Sequence, residues 1–470
     1  MFAGSGPGRT GSSSFDNTPA DAIGPRLGFA YRVGDRMVLR GGYGIYYSGV
    51  AFLNGPTPLQ GFQTIPTAPN VTNGLYSAFS LDGGFPRNLV TFPPIINPAV
   101  ANGTSPQAYV GSGNTLPRYQ NWSFTIQRQV TNSILIDLSY TGNHGTRLPQ
   151  NPNYLGVPVN MNDPSILALG SKVLGADINS DIAKAAGITP PYPGFVGNVA
   201  QALRPFPQYQ SIAYRDWPIG FSLYHSFQAK IDKRFSNGML FRAFYTRSKL
   251  INDGAEQGYS NGGGTNPQNP INTQRLERAV SADDVPNTFV FTWSYQLPFG
   301  KNRRHDFAFY LMSGWTLNGI LRYESGRPER ITMANDMGGL LFNAVKRPNV
   351  VTTVSPLSTA VNNGSFDPNR DVYFNRAAWS DPGALTFGNA PPRDAHVRGF
   401  MNAVEDVSLF KETKFGERLN WRLEVQGGNF TNRVVFCDPN TNWSAGAAFG
   451  QVSTQCNQPL SIQLGTKLVF

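Results

Sequence analysis

Apolar and polar residues alternate with period two over many short stretches of this chain, the pattern of strands whose two faces meet different surroundings. The clearest stretch runs from Thr288 to Leu297. Phe289, Phe291, Trp293, Tyr295 and Leu297 fall on one side, and Thr288, Val290, Thr292, Ser294 and Gln296 on the other. From Arg418 to Gln426, Leu419, Trp421, Leu423 and Val425 oppose Asn420, Arg422, Glu424 and Gln426. Beginning at Trp315, Leu317, Leu321 and Tyr323 oppose Thr316, Asn318, Arg322 and Glu324. The last stretch sets Leu460, Ile462, Leu464, Leu468 and Phe470 against Ser461, Gln463 and Lys467. Weaker alternation marks residues 26–33, 37–47, 122–130, 134–140, 223–235, 239–249 and 403–411. About eleven strands are expected.

The connections between them fall into two kinds. Tight turns are expected at residues 33–36, 130–133, 236–239, 299–306 and 415–418. The others cover about 48–117, 142–220, 251–285, 326–400 and 431–459. They are roughly 30 to 80 residues long, against an ordinary median of about 4–6. Membrane barrels combine short periplasmic turns with long extracellular loops and tilted strands of about 9–11 residues. A soluble sandwich also alternates, but it places turn signals every 8–12 residues or so and does not need Arg and Glu in mid-strand. The expected fold is therefore all-β: an antiparallel transmembrane β-barrel with long extracellular loops. Tyr46, Tyr47, Tyr119, Trp122, Tyr140, Trp315 and Tyr323 gather near strand ends, as interfacial aromatic girdles would. Residues 164–187 show mild helical periodicity, so a short helix is expected in that loop.

Composition agrees. Only 14% of residues are charged, while Gly (50) and Pro (36) are abundant, which suits a loop-rich β protein. Aromatics at 12% argue against disorder. No stretch of about 18 apolar residues exists, so no transmembrane helix is expected. A mean hydropathy of −0.28 does not exclude a barrel, because only one face of each strand meets lipid. The net charge of +10 allows an anionic partner, such as lipopolysaccharide phosphates or nucleic acid. No dense Lys/Arg block exists, so scattered basic residues are the simpler account and nucleic acid is not expected. The two cysteines, Cys437 and Cys456, share the last long loop. An oxidising cell surface allows a disulfide between them, with the free state the alternative.

The loop pattern orients the chain. With short turns in the periplasm, the strand near Arg26 runs inward and so does the last, which ends at Phe470. Residues 1–23 then belong to an extracellular loop and are expected to be disordered, with strands over 24–470. No basic segment followed by an apolar run opens the sequence. Closing eleven strands on themselves would set two inward-running strands side by side in parallel. Bacterial barrels have an even strand count. The expectation is a C-terminal part of a larger barrel, or a strand that escapes the pattern.

Several stretches resemble one family. They are Gly24-Pro25-Arg26-Leu27-Gly28-Phe29-Ala30-Tyr31, Leu39-Arg40-Gly41-Gly42-Tyr43-Gly44-Ile45-Tyr46-Tyr47, Gln120-Asn121-Trp122-Ser123 and Leu138-Ser139-Tyr140-Thr141-Gly142-Asn143-His144-Gly145. Arg204-Pro205-Phe206-Pro207, Gly314-Trp315-Thr316-Leu317-Asn318-Gly319-Ile320, Ser325-Gly326-Arg327-Pro328, Asn429-Phe430-Thr431-Asn432 and Ile462-Gln463-Leu464-Gly465-Thr466-Lys467-Leu468-Val469-Phe470 continue the series. Together they resemble the C-terminal barrel of TonB-dependent outer-membrane receptors, most nearly the Oar-like type that carries a carboxypeptidase-regulatory-like domain. The resemblance implies a 22-stranded barrel around a plug and import of a bulky ligand such as a siderophore complex, a glycan or a peptide. It implies outer-membrane lipid and lipopolysaccharide as surroundings, contact with TonB through a part not present in this sequence, and recognition of Phe470 by the insertion machinery. The plug, the TonB-contacting box and about half of the barrel are not in this sequence.

The sequence has no His-Glu-x-x-His and no Walker A run. Gly6, Gly8 and Gly11 match a dinucleotide fingerprint by letters alone, with no strand before them. The four histidines are scattered. No enzyme activity and no cofactor are expected. Arg322, Glu324, Arg422 and Glu424 are expected to face the lumen, lining a plug or ligand path or forming ion pairs across the wall. Phe92, Tyr109, Tyr192, Phe195, Phe206 and Tyr209 are candidates for a ligand-catching surface, with loop self-packing the alternative. Asp283-Asp284 reads as a solvated acidic pair or a cation site. Two other functions stay open: a plugless porin or surface adhesin, and a secreted soluble β-rich enzyme.

Overall fold

A computed structural model describes residues 22–47, 76–84, 103, 107–109, 116–150, 157–158, 160–210, 212–215, 217–253, 268–269, 276–300, 306–342, 345–416 and 419–470. Its main feature is a path of eleven strands, each hydrogen-bonded to the next in chain order. They are β1 (Arg26–Val33), β2 (Met37–Tyr47), β3 (Arg118–Gln129), β4 (Ile134–Gln150), β5 (Trp217–Ser236), β6 (Met239–Asn252), β7 (Asn287–Gln296), β8 (Trp315–Glu324), β9 (Asn402–Phe415), β10 (Leu419–Gly428) and β11 (Ser461–Val469). All ten pairings along the path are antiparallel, as short turns require. A two-residue strand, Ala279–Val280, adds to the end of β6. No helix among the described residues is long and apolar enough to cross a membrane.

The turns have the chemistry that hairpins need. Asn237 and Gly238 both take positive φ (54° and 76°), the type I′ geometry whose twist matches the flanking strands. Gly34 sits at φ 59° between β1 and β2. The turn expected at 299–306 is longer than expected. It extends from Leu297 to Gly314 and holds a six-residue helix.

Register fixes one parity across the whole sheet. Residues paired across strands share a face, so the set can be followed from β1 to β11. One face carries Leu27, Phe29 and Tyr31, then Leu39 and Tyr43, Trp122, Phe124 and Ile126, then Leu138 and Tyr140, then Phe227 and Ile231. It continues through Phe241 and Tyr245, Phe289, Phe291, Trp293 and Tyr295, Leu317, Leu321 and Tyr323, Val407 and Leu409, Leu423 and Val425, and ends on Ile462 and Leu464. The other face carries Arg40, Thr125, Gln127, Asp137, Ser139, Gln228, Lys230, Asp232, Arg242, Thr246, Thr292, Asn318, Arg322, Ser408, Glu412, Arg422, Glu424, Gln426 and Gln463. A slip of one residue at any pairing would exchange the two faces.

Large rings on the apolar face are seated over glycines of the next strand. Phe29 pairs with Gly41, Trp122 with Gly142 and Trp293 with Gly319. A Cβ at Gly319 would fall 2.1 Å from the Trp293 ring, and one at Gly142 would fall 2.2 Å from Trp122. The missing side chain is what lets each ring lie flat on the sheet.

Two corrections concern the strands. Residues 142–150 continue β4 rather than opening a loop, pairing with β5 past bulges near Leu148. β4 and β5 span 17 and 20 residues, beyond the 9–11 or so that a tilted strand needs to cross hydrocarbon. Their excess stands above the sheet on the long-loop side. The expected aromatic girdle also splits. Tyr46 pairs with Tyr119 on the polar face, and Arg26 stacks over the Tyr46 ring at 4.7 Å. Tyr47, Trp122, Tyr140, Trp315 and Tyr323 keep to the apolar face.

The most deeply buried apolar side chains of the described residues lie in the loops, not in the sheet. A wall one layer thick has no interior to fill. The β4–β5 loop contains a 3₁₀ turn, Pro164–Leu169, then α1 (Gly170–Leu174), α2 (Asp181–Ala185) and α3 (Val199–Ala202). The 3₁₀ turn, α1 and α2 fall within 164–187, where one short helix is expected, and α3 lies beyond it. Asp163, Ser180 and Asn198 cap these elements with side-chain oxygens. The helix of the β7–β8 turn is α4 (Phe307–Met312), and α5 (Gly338–Leu341) lies in the β8–β9 loop. Leu174, Ile178, Ala183, Phe195, Val199 and Ala200 pack with Leu340 into one core, which joins the β4–β5 and β8–β9 loops. Tyr373, Phe374, Trp379, Val397, Phe449 and Val452 form a second, joining the β8–β9 and β10–β11 loops. Residues 1–21, Phe92, His305, Glu417 and Arg418 lie outside the described residues.

Candidate functional site

Two surfaces present chemistry: the polar face of the sheet and the body made by the loops. On the polar face the charges are arranged as short ladders. Lys230 lies 3.8 Å from Asp137 and 3.6 Å from Asp232, and Asp232 reaches Arg242 at 3.2 Å. Thr125 and Ser139 hydroxyls meet at 2.9 Å. Arg40, Thr125, Gln127, Asp137, Ser139 and Lys230 line part of a hollow of about 210 Å³. Further along, Arg322 pairs with Glu324 at 2.5 Å, and Arg422 with Glu424 at 3.2 Å and Glu412 at 3.9 Å. The Arg422 guanidinium also lies 4.0 Å from the Phe410 ring centre. Alternation places these groups two residues apart on one strand, or opposite on the next, where ion pairs form without bending the ladder. Between the two groups, Thr292, Asn318, Asp406, Ser408, Gln426 and Gln463 line part of a hollow of about 500 Å³.

The loop body is held by buried polar staples as well as by its two cores. Arg347 makes a two-pronged pair with Glu277 at 2.7 and 3.0 Å, and both side chains are almost fully buried. Gln268 completes it, accepting from the Arg347 amide at 2.6 Å and donating to the Gly388 carbonyl at 2.8 Å. Arg398 grips Asp284 at 2.5 Å and donates to the Asp284 and Gly326 carbonyls. Arg327 reaches Asp283 at 3.3 Å. The acidic pair therefore divides: Asp284 is buried and taken by Arg398, while Asp283 stays exposed to solvent beside Arg327. Arg204 donates to the Asn160 carbonyl at 2.7 Å and to Gln201 at 2.9 Å, and stacks over Phe342 at 3.7 Å. Burial pulls its guanidinium down to about 10. Asn162 donates to the Ala200 and Leu340 carbonyls, again bridging two loops.

One group in the body is poised to titrate. Glu329 follows β8, and its carboxylate meets that of Asp438 from the β10–β11 loop. A Cβ at Gly399 would lie 2.6 Å from Asp438 Oδ1 and 2.8 Å from Glu329 Oε1, so the two acids close over that glycine. Burial raises Glu329 to about 8, the Asp438 charge and hydrogen bond push the same way, and Arg393 opposes them. Burial, then the charges of Glu329 and Asp438, push the neighbouring Tyr373 hydroxyl up to about 12.

A two-faced antiparallel sheet with short turns at one end and a structured loop body at the other is the geometry of an outer-membrane barrel wall. The family described as outer membrane beta barrel domain matches residues 1–463. The chain belongs to that family. This barrel protein is located in the outer membrane. No curated protein matches it. Among solved structures it is similar to the outer membrane transporter YddB from Escherichia coli, with 10% identity, a TM-score of 0.41, and coverage of 93% of this chain and 39% of that one. It is similar also to the pyoverdine outer membrane receptor FpvA from Pseudomonas aeruginosa (10%, TM-score 0.37, 95% and 36%). A third is the FrpB iron transporter from Neisseria meningitidis (10%, TM-score 0.37, 95% and 39%). The chain thus spans less than two fifths of the length of these structures.

Of the candidate site residues singled out from the sequence, all but Phe92 lie on the described wall or loops. Arg322, Glu324, Arg422 and Glu424 all lie on the polar face, paired with each other or with Glu412. Tyr192 and Phe195 meet edge to face at 5.5 Å inside the first loop core, and Phe195 is buried. Phe206 is 49% exposed, with its backbone amide donating to Asn160 at 2.9 Å. Tyr209 offers its carbonyl to Asn160 and Gln201. Tyr109 lies in a three-residue strand, Gln107–Tyr109, parallel to Ala213–Arg215. Cys437 and Cys456 are joined in a disulfide that closes the β10–β11 loop. Phe470 follows β11 and is almost fully exposed. Arg347–Glu277, Arg398–Asp284 and Glu329–Asp438 escaped the sequence, because their partners lie in different loops and no spacing marks them.

Proposed function

We propose that this chain is the C-terminal wall and the extracellular loop body of an Oar-like TonB-dependent receptor that imports a bulky ligand, such as a siderophore complex, a glycan or a peptide. The observation that carries the proposal is the sheet itself: eleven strands, one mainly apolar face, one mainly polar face, and no partner among the described residues for the outer edges of β1 and β11. Unpaired N–H and C=O groups in hydrocarbon cost several kcal/mol each, by rough estimate. Further strands of the same polypeptide, to a total of 22, would pair with both edges. The apolar face then meets lipid and lipopolysaccharide. The polar face, with Arg322, Glu324, Arg422 and Glu424, lines a lumen filled by a plug, and TonB acts through that plug. Phe470 serves as the mark read by the insertion machinery. In the loop body, the exposed ring of Phe206 is the candidate for ligand contact, while Tyr192 and Phe195 serve packing. The sequence stretches that resemble such receptors run in order along nearly the whole chain, which supports the same reading.

The test is uptake by cells of labelled ferric siderophore, oligosaccharide and peptide, with and without the gene, and with and without a proton-motive-force uncoupler. The expected outcome is loss of one class of uptake on deletion and on uncoupling. Uncoupler-insensitive passage of small solutes would instead identify a plugless porin, and surface binding without uptake an adhesin. The native polypeptide is expected to exceed 51.3 kDa and to carry plug sequence ahead of these strands.

A further inference from the structure

The β7–β8 connection carries an unusual helix. Every residue of α4 is apolar or aromatic: Phe307, Ala308, Phe309, Tyr310, Leu311 and Met312. Phe307 is 83% exposed, Leu311 60% and Met312 42%, and nearby Phe299 is 55% exposed. Phe307 and Leu311 are one helical turn apart and share a face. Water offers such a patch nothing, and exposed clusters of this kind mark sites of contact.

The helix is fastened, not loose. Asp306 caps it, accepting from the Phe309 amide at 2.7 Å. Gly314, at φ +79°, lies so close to β9 that a Cβ there would fall 2.1 Å from the Glu412 carbonyl oxygen. The Glu412 amide donates to the Gly314 carbonyl at 2.9 Å. Trp315 Nε1 donates to the Leu311 carbonyl at 3.1 Å, and the Tyr310 and Phe415 rings stack at 5.7 Å. Trp315 pairs with Lys411, and by strand parity Trp315, Lys411 and Phe415 all belong to the apolar face. α4 is thus fixed to the lipid side of the wall, at the short-turn end. A hollow of about 500 Å³ separates it from the strands, lined in part by Tyr295, Leu297, Phe309, Tyr310 and Trp315.

We propose that α4 is an interfacial anchor, lying at the headgroup boundary of the periplasmic leaflet with Phe307 and Leu311 dipped among phospholipid acyl chains. Two observations select lipid as the occupant. The patch continues the apolar face of an outer-membrane barrel, whose neighbour along that face is lipid. By strand parity Arg128, Lys233 and Lys411 also lie on that face toward the short-turn end, whereas Glu412 lies on the polar face, a balance that suits anionic headgroups. Short amphipathic segments so placed bury their apolar side roughly 5–10 Å into the boundary.

Cys437 and Cys456 are bonded to each other, and with any cysteine in the rest of the full-length protein replaced by serine, single introduced thiols can be labelled selectively. Spin labels at Phe307→Cys and Leu311→Cys, in the full-length protein in its own outer membrane, are compared for collision with oxygen and with a water-soluble nickel chelate. Phe291→Cys is the lipid control and Asp35→Cys the water control. The expected result is an oxygen-favoured ratio at 307 and 311 close to that at 291 and several-fold above that at 35. Nickel access equal to that at 35 would overturn the proposal, as would shielding from both reagents, which would mean a protein partner covers the helix. If 291 also reads water, the assignment of the apolar face has failed, an outcome distinct from failure at the helix alone. In a second experiment, Phe307→Glu with Leu311→Glu should abolish the oxygen preference of a label at Met312→Cys while 291 stays unchanged. An unchanged preference at 312 would also overturn it.

Discussion

The pairing of Glu329 with Asp438 predicts that the loop body loosens as pH rises. The carboxyl of Glu329 titrates near 8 in the folded loops because it is buried and faces a second acid, against an ordinary value of 4.5. A folded pKa above the unfolded one means that the native loops hold the proton more tightly. That stabilisation is complete below the unfolded value and is lost as pH climbs through the folded one. The window is therefore pH 4.5 to 8, a gap of about 3.5 pH units. At about 1.36 kcal/mol each this is about 5 kcal/mol, an upper bound because Glu329 and Asp438 titrate as a pair and share the shift. Native hydrogen exchange reads the effect directly. The Glu329 amide donates to the Val397 carbonyl at 2.7 Å, and the Gly399 amide to the Arg327 carbonyl at 2.9 Å, so both report opening of this junction. After correction for intrinsic exchange, their opening free energies should fall between pH 5 and pH 8.5. Glu329→Gln is neutral and can still donate to Asp438, so it should remove most of the slope. An equal slope in wild type and variant, or no slope in either, would refute the reasoning.

Three other outcomes follow from particular contacts. Arg347→Ala leaves Glu277 buried without its partner, which should cost about 3–5 kcal/mol locally and expose the β6–β7 loop to limited proteolysis; Arg347→Met with Glu277→Leu should be milder. Gly319→Ala collides with the Trp293 ring and should cost about 1–3 kcal/mol, lowering the temperature at which heat-modifiable gel mobility is lost. At Gly465 a Cβ would have 3.9 Å to its nearest neighbour, so Gly465→Ala should leave that temperature unchanged. Replacing Cys437 and Cys456 by Ser opens a 19-residue closure and should destabilise the β10–β11 loop by about 3 kcal/mol, seen as faster protease cleavage between them.

The wall was legible in the sequence because its physics is local. A strand with lipid on one side and polar surroundings on the other must alternate, so β1 and β2 could be bounded from residue types alone. The rest failed where local signals mislead. Gly142, Asn143 and Gly145 read as loop, yet the ladder with β5 carries β4 through them. Tyr46 and Tyr47 are adjacent, so parity forces one of them onto the polar face whatever their shared chemistry. The helix in the β7–β8 turn was overlooked because a run of six apolar residues is too short to show a period. The loop body was illegible for a deeper reason. Asn162 meets Leu340 across 178 residues, and Glu329 meets Asp438 across two loops; no spacing encodes such contacts.

The two-faced wall is tested most directly by spin labels at Trp293→Cys and Thr292→Cys, neighbours on β7 with opposite parity. In the outer membrane, the label at 293 should collide with oxygen and lipid-borne relaxers and be closed to a water-soluble nickel chelate, while the label at 292 should show the reverse or be shielded by protein. If both labels report the same medium, the assignment of one face to lipid is wrong, and the receptor proposed from it falls as well.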